Sequence, residues 1–416
     1  TFEQTSQELT EMIAADRESQ SGESSAEAVA VEDSISALLH GTPAGVLGNG
    51  ATVGIGDGDV AGALSGRGAV ARARLAQQGG GSAASEDAVT RGLRWLQAHQ
   101  RADGSWCFDL TQCACEGRCT ESGTEVSTTG ATGLALLAFL GHGETHQEGD
   151  YQETVKRGLY YLTSQMLTTS HGGDLRGAGN MYSHGIASIA LCEAYAMTRD
   201  KELEAFSQKA IDFILSAQSG GGGWRYLPGM PGDTTVSGWQ VMALKSGQMA
   251  YLRVPFDAVV SANRFLDSVQ SDRGARYSYL PHQTREGKEL TTTAVGLLCR
   301  MYLGWPKEHP ALRKGVELLT RDGPSMLGRS SNMYYNYYAT QIMHQYGGEP
   351  WELWNSKMRD YLVRTQATEG HESGSWYFDG GQAHAGGRLY VTAVAVMTLE
   401  VYYRHMPLYA AHAVDH

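Results

Sequence analysis

The stretch TTGATGLALLAFLG, residues 128–141, carries no charged side chain and no polar stripe. A helix that is apolar on every face has to be surrounded by other protein. The same character returns five times: YSHGIASIALCEAYAM from Tyr182, TTVSGWQVMALKSG from Thr234, TTTAVGLLCRMYLG from Thr291, YYNYYATQIMHQYG from Tyr334 and YVTAVAVMTLEVYY from Tyr390. Before each comes a stretch of a different kind, with a single apolar stripe such as Val155, Leu159, Leu162 and Met166.

These one-striped stretches share a register with a period of about 50 residues. A basic or small residue is followed by Gly, Ala or Met, two variable positions and a bulky pair. The copies run from Arg91-Gly92 to Trp95-Leu96, Arg157-Gly158 to Tyr161-Leu162, and Lys209-Ala210 to Phe213-Ile214. Ser261-Ala262 to Phe265-Leu266, Lys314-Gly315 to Leu318-Leu319 and Lys357-Met358 to Tyr361-Leu362 complete them. Gln100, Gln218, Gln270 and Gln366 stand four residues beyond the pair in four copies. Six half-buried helices alternating with six buried ones predict two concentric rings, an all-α (α/α)6 toroid. Alternation makes all inner helices run the same way. Their N-termini then converge at one end, where a cavity is expected to open. Thr128, Ser183, Asp233 and Thr291 stand where first-turn N–H groups need caps.

Residues 1–85 are rich in small, polar and acidic residues and have few aromatics. Such a stretch buries too little surface to offset its ordering entropy, and reads as a flexible linker or tail with a short helix near Ile35 to Leu39. The toroid is expected over 86–408 and a C-terminal tail over 409–416. The net charge of -12 and the absence of a basic stripe exclude a nucleic-acid binder. No apolar run is long enough to span a bilayer. Cys107, Cys113, Cys115 and Cys119 crowd into one loop, which reads as one or two disulfides, a small metal site or free thiols, in each case structural. Cys192 and Cys299 read as core residues. The cysteine loop and the N-terminal tail suggest a place in the cell envelope outside the cytoplasm, with the cytoplasm as the alternative, the tail being available to a protein partner.

At the predicted open end, three polar groups are the catalytic candidates: Asp233, His184 and Tyr182. Trp224, Tyr334, Tyr335, Tyr337, Tyr390, Arg176 and Arg388 are the candidate ligand-binding residues. Aromatic faces suit isoprenoid chains and cationic intermediates. Tyr, His, Asn and Arg together equally suit a lyase. No cofactor and no metal ligand outside the cysteine loop is expected.

Gln100-x3-Gly104-x-Trp106 and Gln218-x3-Gly222-x-Trp224 resemble the Gln-x3-Gly-x-Trp motif of squalene–hopene and oxidosqualene cyclases, with degenerate copies at Gln270, Gly274 and Tyr277 and at Gln366 and Trp376. Gly222-Gly223-Trp224 and Gly386-Gly387 with Tyr390 are similar to turns of protein prenyltransferase β subunits. More closely, the chain resembles uncharacterised bacterial proteins with prenyltransferase and squalene-oxidase repeats. The resemblance covers about 320 residues and implies the toroid fold and an apolar isoprenoid-type ligand in a central cavity. It departs from the cyclases at their proton donor: their D-x-D-D-T segment corresponds to Met230-Pro231-Gly232-Asp233-Thr234, with Gly at the donor position. It departs from the prenyltransferases at their zinc ligands, with Thr235 where Cys belongs and no His in Leu389-Tyr390-Val391-Thr392. The expected function is thus a terpenoid-cyclase-like toroid that binds an isoprenoid-type ligand without the family's acid or zinc. The alternatives are a non-catalytic envelope module and a polysaccharide lyase-like enzyme.

Overall fold

The computed structural model describes residues 64–283, 290–326, 331–405 and 408. A short 3-10 turn, Ser65–Arg67, and helix α1 (Ala69–Gly79) lead into six helix pairs. The outer members are α2 (Ala83–Ala98), α4 (Gln152–Gln165), α6 (Lys201–Ser216), α8 (Phe256–Val269), α10 (Pro310–Asp322) and α12 (Gly348–Thr365). The inner members are α3 (Thr128–Gly141), α5 (Met181–Thr198), α7 (Thr234–Met249), α9 (Leu290–Tyr302), α11 (Met333–Tyr346) and α13 (Ala383–Leu399), followed by the single turn α14 (Val401–Arg404). Each inner helix packs on the next, and α13 packs on α3 and α2, so the double ring closes as an (α/α)6 toroid. Two small hairpins, Leu167–Thr169 with Gly172–Asp174 and Gln270–Ser271 with Arg276–Tyr277, lie in outer-to-inner turns.

The turn after each Gln is built the same way in three repeats. Gln100 donates to the carbonyls of Gly104 (2.9 Å) and Thr154 (3.0 Å), Gln218 to those of Gly222 (2.8 Å) and Ala258 (3.0 Å), and Gln366 to those of Gly374 and Ala88 (both 2.8 Å). One amide therefore ties its own turn to the first turns of the next outer helix. For Gln366 the next outer helix is α2, which makes this bond part of the ring closure. The buried indoles of Trp106, Trp224 and Trp376 donate to the carbonyls of Leu96, Ile214 and Leu362. Gly222 has φ +89, and a Cβ there would run into the Ser261 carbonyl, so the turn admits only glycine. In the fourth repeat Tyr277 replaces Trp, and its hydroxyl accepts from Arg300 (3.1 Å).

The folded body starts earlier than residue 86. Arg67 is 1% exposed, and its guanidinium donates to Glu193 (2.9 Å) and to the Arg404 carbonyl (2.9 Å). α1 packs on α14, and Trp351 donates to the Gly79 carbonyl. Residues 64–85 join the body because a short Ala-rich helix needs little apolar surface of its own when a formed ring receives it. The helix expected near Ile35 to Leu39, residues 1–63 of the tail expected over 1–85, and the tail over 409–416 lie outside the described residues. Two caps sit earlier than expected: Ser127 and Asn180 accept the first-turn N–H groups of α3 and α5. No helix among the described residues is long and apolar enough to cross a membrane.

Buried aromatic rings pack into a plug between facing inner helices: Trp239 of α7 stacks on Tyr337 of α11 (centroids 6.1 Å, 17°) and meets Tyr338 edge-on (6.0 Å). Towards the C-terminal ends of the inner helices, Arg67, Glu193, Arg404 and Glu400 form a buried ionic cluster. Burial opposes charge on Glu193, but Arg404 and Arg67 outweigh it and hold its carboxyl down to about 2.

Candidate functional site

Above the aromatic plug, at the end where the inner helices begin, a cavity of about 120 Å³ opens. Tyr182, Trp239, Tyr334 and Tyr390 supply its aromatic walls, Leu134 and Ile186 its aliphatic side. Asn180, Glu125 and Gln382 stand around it as polar groups, and Phe108 and Glu125 come from the long turn between α2 and α3. The Tyr182 hydroxyl pairs with the Thr235 hydroxyl (2.6 Å), and Tyr334 donates to the Thr235 carbonyl (3.1 Å). The buried Tyr390 hydroxyl has no protein partner among the described residues. Burial pushes the phenols of Tyr182, Tyr334 and Tyr390 upward, so all three stay neutral at ordinary pH.

Three of the residues singled out in the sequence therefore meet in this cavity: Tyr182, Tyr334 and Tyr390. Tyr337 lies beneath Trp239, on the plug. Tyr335 points the other way, towards the outer ring, where its hydroxyl donates to the Gly323 carbonyl (3.1 Å) and its ring meets Trp354 edge-on. Neighbouring helical residues are about 100° apart, so a four-tyrosine run has to split between faces. Trp224 is occupied under its turn. Arg176 is held by Asp174 (2.7 Å) over the Phe213 ring. Arg388 bonds Thr120 and Glu372 and lies over Tyr377.

Asp233 and His184 are both fully buried away from the cavity wall. One carboxylate oxygen of Asp233 accepts from the N–H groups of Thr235 (2.9 Å) and Val236 (2.8 Å), which is a helix cap. Its other oxygen has no hydrogen-bond partner among the described residues, and Arg225 lies 4.0 Å from it. Burial raises this carboxyl, partly countered by the cap bonds. His184 accepts from the Leu175 N–H at Nδ1 (3.1 Å) and meets the Ala210 carbonyl at Nε2 (3.1 Å). Both nitrogens are spent on backbone, and burial lowers the imidazole to about 4. Trp239, the cavity's floor, was missed in the sequence because it reads as one more apolar residue of α7; its size amid Ser, Gly and Ala neighbours was the available signal.

The four loop cysteines are buried, and none is bonded to another. The Cys113 sulfur lies 3.1 Å from the Cys115 sulfur and 3.1 Å from the Leu110 carbonyl, either of which can take its one proton. Burial pushes Cys113 up to about 12, whereas backbone N–H groups of Cys119 and Gly117 outweigh burial at Cys115 and lower it. Two histidines that the sequence did not single out, His99 and His371, lie beside Cys115 and Cys119.

No family model and no curated protein sequence matches the chain. Solved structures do match in fold. A GH76 α-mannanase from Bacteroides thetaiotaomicron gives a TM-score of 0.56 at 11% identity over 77% of this chain and 95% of that one. A GH76 α-1,6-mannanase variant from Salegentibacter, inactive through replacement of two aspartates and bound to α-1,6-mannotriose, gives 0.54 at 8% identity over 77% and 99%. The type II terpene cyclase MstE from Scytonema gives 0.52 at 11% identity over 77% and 98%. At these identities the likeness establishes the α/α-toroid fold, shared by terpene cyclases and mannanases alike.

Proposed function

We propose that the toroid is a binding protein for a compact apolar group bearing one oxygen, such as the end of an isoprenoid alcohol, and that it does not carry out acid-initiated cyclisation. The observation that carries this reading is the small cavity walled by Tyr182, Trp239, Tyr334 and Tyr390, with the unpartnered Tyr390 hydroxyl in its wall. A dry cavity of roughly 150 Å³ accepts one benzene ring, so this one suits a single five-carbon branched unit, with any longer chain emerging through the mouth. Acid-initiated cyclisation needs a carboxylic acid held protonated at the substrate, and Asp233, the residue that corresponds to the cyclase segment, is a buried cap instead. Glycoside hydrolysis normally takes two carboxylates facing across the substrate. Glu125 is the one acidic residue of the described wall, and the chain has no two adjacent aspartates. Lyase chemistry would need a cationic group to neutralise a uronate, and the described residues of the wall include none. An envelope location would have to rest on something other than a disulfide framework, since no two of the six cysteines are bonded to each other.

Calorimetric titration with dimethylallyl alcohol, geraniol and farnesol, and with methyl α-mannoside in parallel, tests the reading. Saturable binding of the alcohols that weakens at least tenfold in Trp239→Ala is expected, with the mannoside inert. Saturation by the mannoside alone, or by none of the four, rejects it.

A further inference from the structure

His99, Cys115, Cys119 and His371 are brought together from three places in the chain. His99 ends α2 of the first repeat, the two cysteines lie in the turn before α3, and His371 lies in the 3-10 turn Gly370–Glu372 of the last repeat. Their four ligand atoms all lie within 4.8 Å of one another. The Cys119 sulfur is 3.2 Å from His99 Nε2 and 3.2 Å from His371 Nδ1. A tetrahedral zinc ion with Zn–S near 2.3 Å and Zn–N near 2.0–2.1 Å has ligand-to-ligand edges of roughly 3.3–3.8 Å. The observed set therefore needs adjustments of at most about 1.5 Å in any ligand-to-ligand edge to close on an ion.

We propose that these four residues form a structural zinc site that staples the first repeat to the last. Several independent features support it. His99 Nδ1 lies 2.6 Å from the Trp95 carbonyl, a bond that places the proton on Nδ1 and leaves the Nε2 lone pair facing the cysteines. This is the outer-sphere arrangement that orients metal-bound imidazoles. The His99 ring is further fixed by stacking on Trp95 (centroids 3.8 Å). Cys115 and Cys119 are separated by three residues, within the spacing that zinc-binding cysteine pairs use. His99, Cys115 and Cys119 are buried, and the donors are all nitrogen or sulfur, a set that selects zinc over magnesium or calcium. Zinc displaces the two thiol protons to solvent, and two thiolates, two neutral imidazoles and Zn²⁺ make a neutral group suited to a buried seam. Four protein ligands leave no open position, so the site is structural, distinct from the cavity.

The surroundings are already set as a joint. Thr120 donates from its N–H and hydroxyl to Glu372 (2.8 and 2.6 Å), and Arg388 bonds both Thr120 and Glu372. Cys113 is outside the set, with its sulfur 3.1 Å from the Cys115 sulfur.

The full-length protein, purified without chelators under reducing conditions, is expected to carry about one zinc per chain by elemental mass spectrometry. Cys113→Ser should keep it; Cys115→Ser combined with Cys119→Ser should reduce it to below about a tenth. Because the double variant could lose the metal by misfolding, cobalt(II) is also loaded into the wild-type chain. Tetrahedral d–d bands with near-ultraviolet thiolate-to-cobalt charge transfer are expected, and weak octahedral bands reject the site. Zinc retained in the folded double variant, or a reduced wild-type chain that binds neither metal, overturns the proposal.

Discussion

Asp233 shows how one side chain can look catalytic in a sequence and be something else in a fold. Its cap bonds to Thr235 and Val236 use only one carboxylate oxygen, which an amide supplies equally well. Asp233→Asn is therefore expected to stay within about 0.5 kcal/mol of the parent in urea unfolding, and Asp233→Ala to lose about 1–2 kcal/mol. A large loss in the Asn variant would mean that the charge itself matters. His184 makes a different prediction. Its imidazole is about 6.5 when unfolded and about 4 when folded, so the unfolded chain takes up the proton first. Stability is complete above pH 6.5 and declines as pH falls towards 4. His184→Gln should flatten that part of a thermal-stability profile against pH. The capping position of Asp233 was legible in the sequence, since a carboxylate just before an apolar run is a cap by default. The orientation of His184 was not, because its partners at Leu175 and Ala210 belong to other elements.

At the scale of elements, the Gln-built turn between outer and inner helices is the device that recurs in three of the repeats. Gly222 and Gly229 both have positive φ, but only Gly222 has a backbone carbonyl where a Cβ would go. Gly229→Ala should cost about 1 kcal/mol of backbone strain. Gly222→Ala should cost at least about 2 kcal/mol more, because the clash with Ser261 displaces α8. Equal costs in chemical denaturation would contradict this account. The alternation of inner and outer helices was fully legible, because burial on all faces and burial on one stripe leave different local patterns. The grouping of the loop cysteines was also visible. Their partners were not: Cys119 and His371 are 252 positions apart, and only ring closure puts them together. The tyrosine run was visible as an aromatic wall, but the outward turn of Tyr335 depended on the phase of α11.

At the scale of the whole molecule, the ionic cluster at the far end of the bore joins three distant parts of the chain. Arg67 stands beside Glu193, which also receives Arg404 from α14. Replacing Arg67 with Ala leaves buried acidic charge short of a partner and should destabilise the fold by about 3–5 kcal/mol at pH 7. Glu193, about 4.5 unfolded and about 2 folded, adds stability that is present above pH 4.5 and is lost as pH falls towards 2. The difference between the Arg67→Ala variant and the parent should therefore shrink in that window, measured by chemical denaturation. The participation of residues 64–82 was not legible because Arg67 is one of three arginines in a Gly- and Ala-rich stretch, and its pairing acids are far away in the chain.

The bond from Gln366 to the Ala88 carbonyl has a consequence for how this protein comes apart. In an open array of helical repeats, the first and last units have one neighbour each and fray before the middle. Here the sixth repeat has the first as its neighbour, so no unit is an end. Opening any one repeat breaks two interfaces, and the molecule has no weak terminus from which to unzip. Amide hydrogen exchange should accordingly show α3 and α13 as slow as α7, giving one cooperative transition where a linear stack of the same helices would give a gradient.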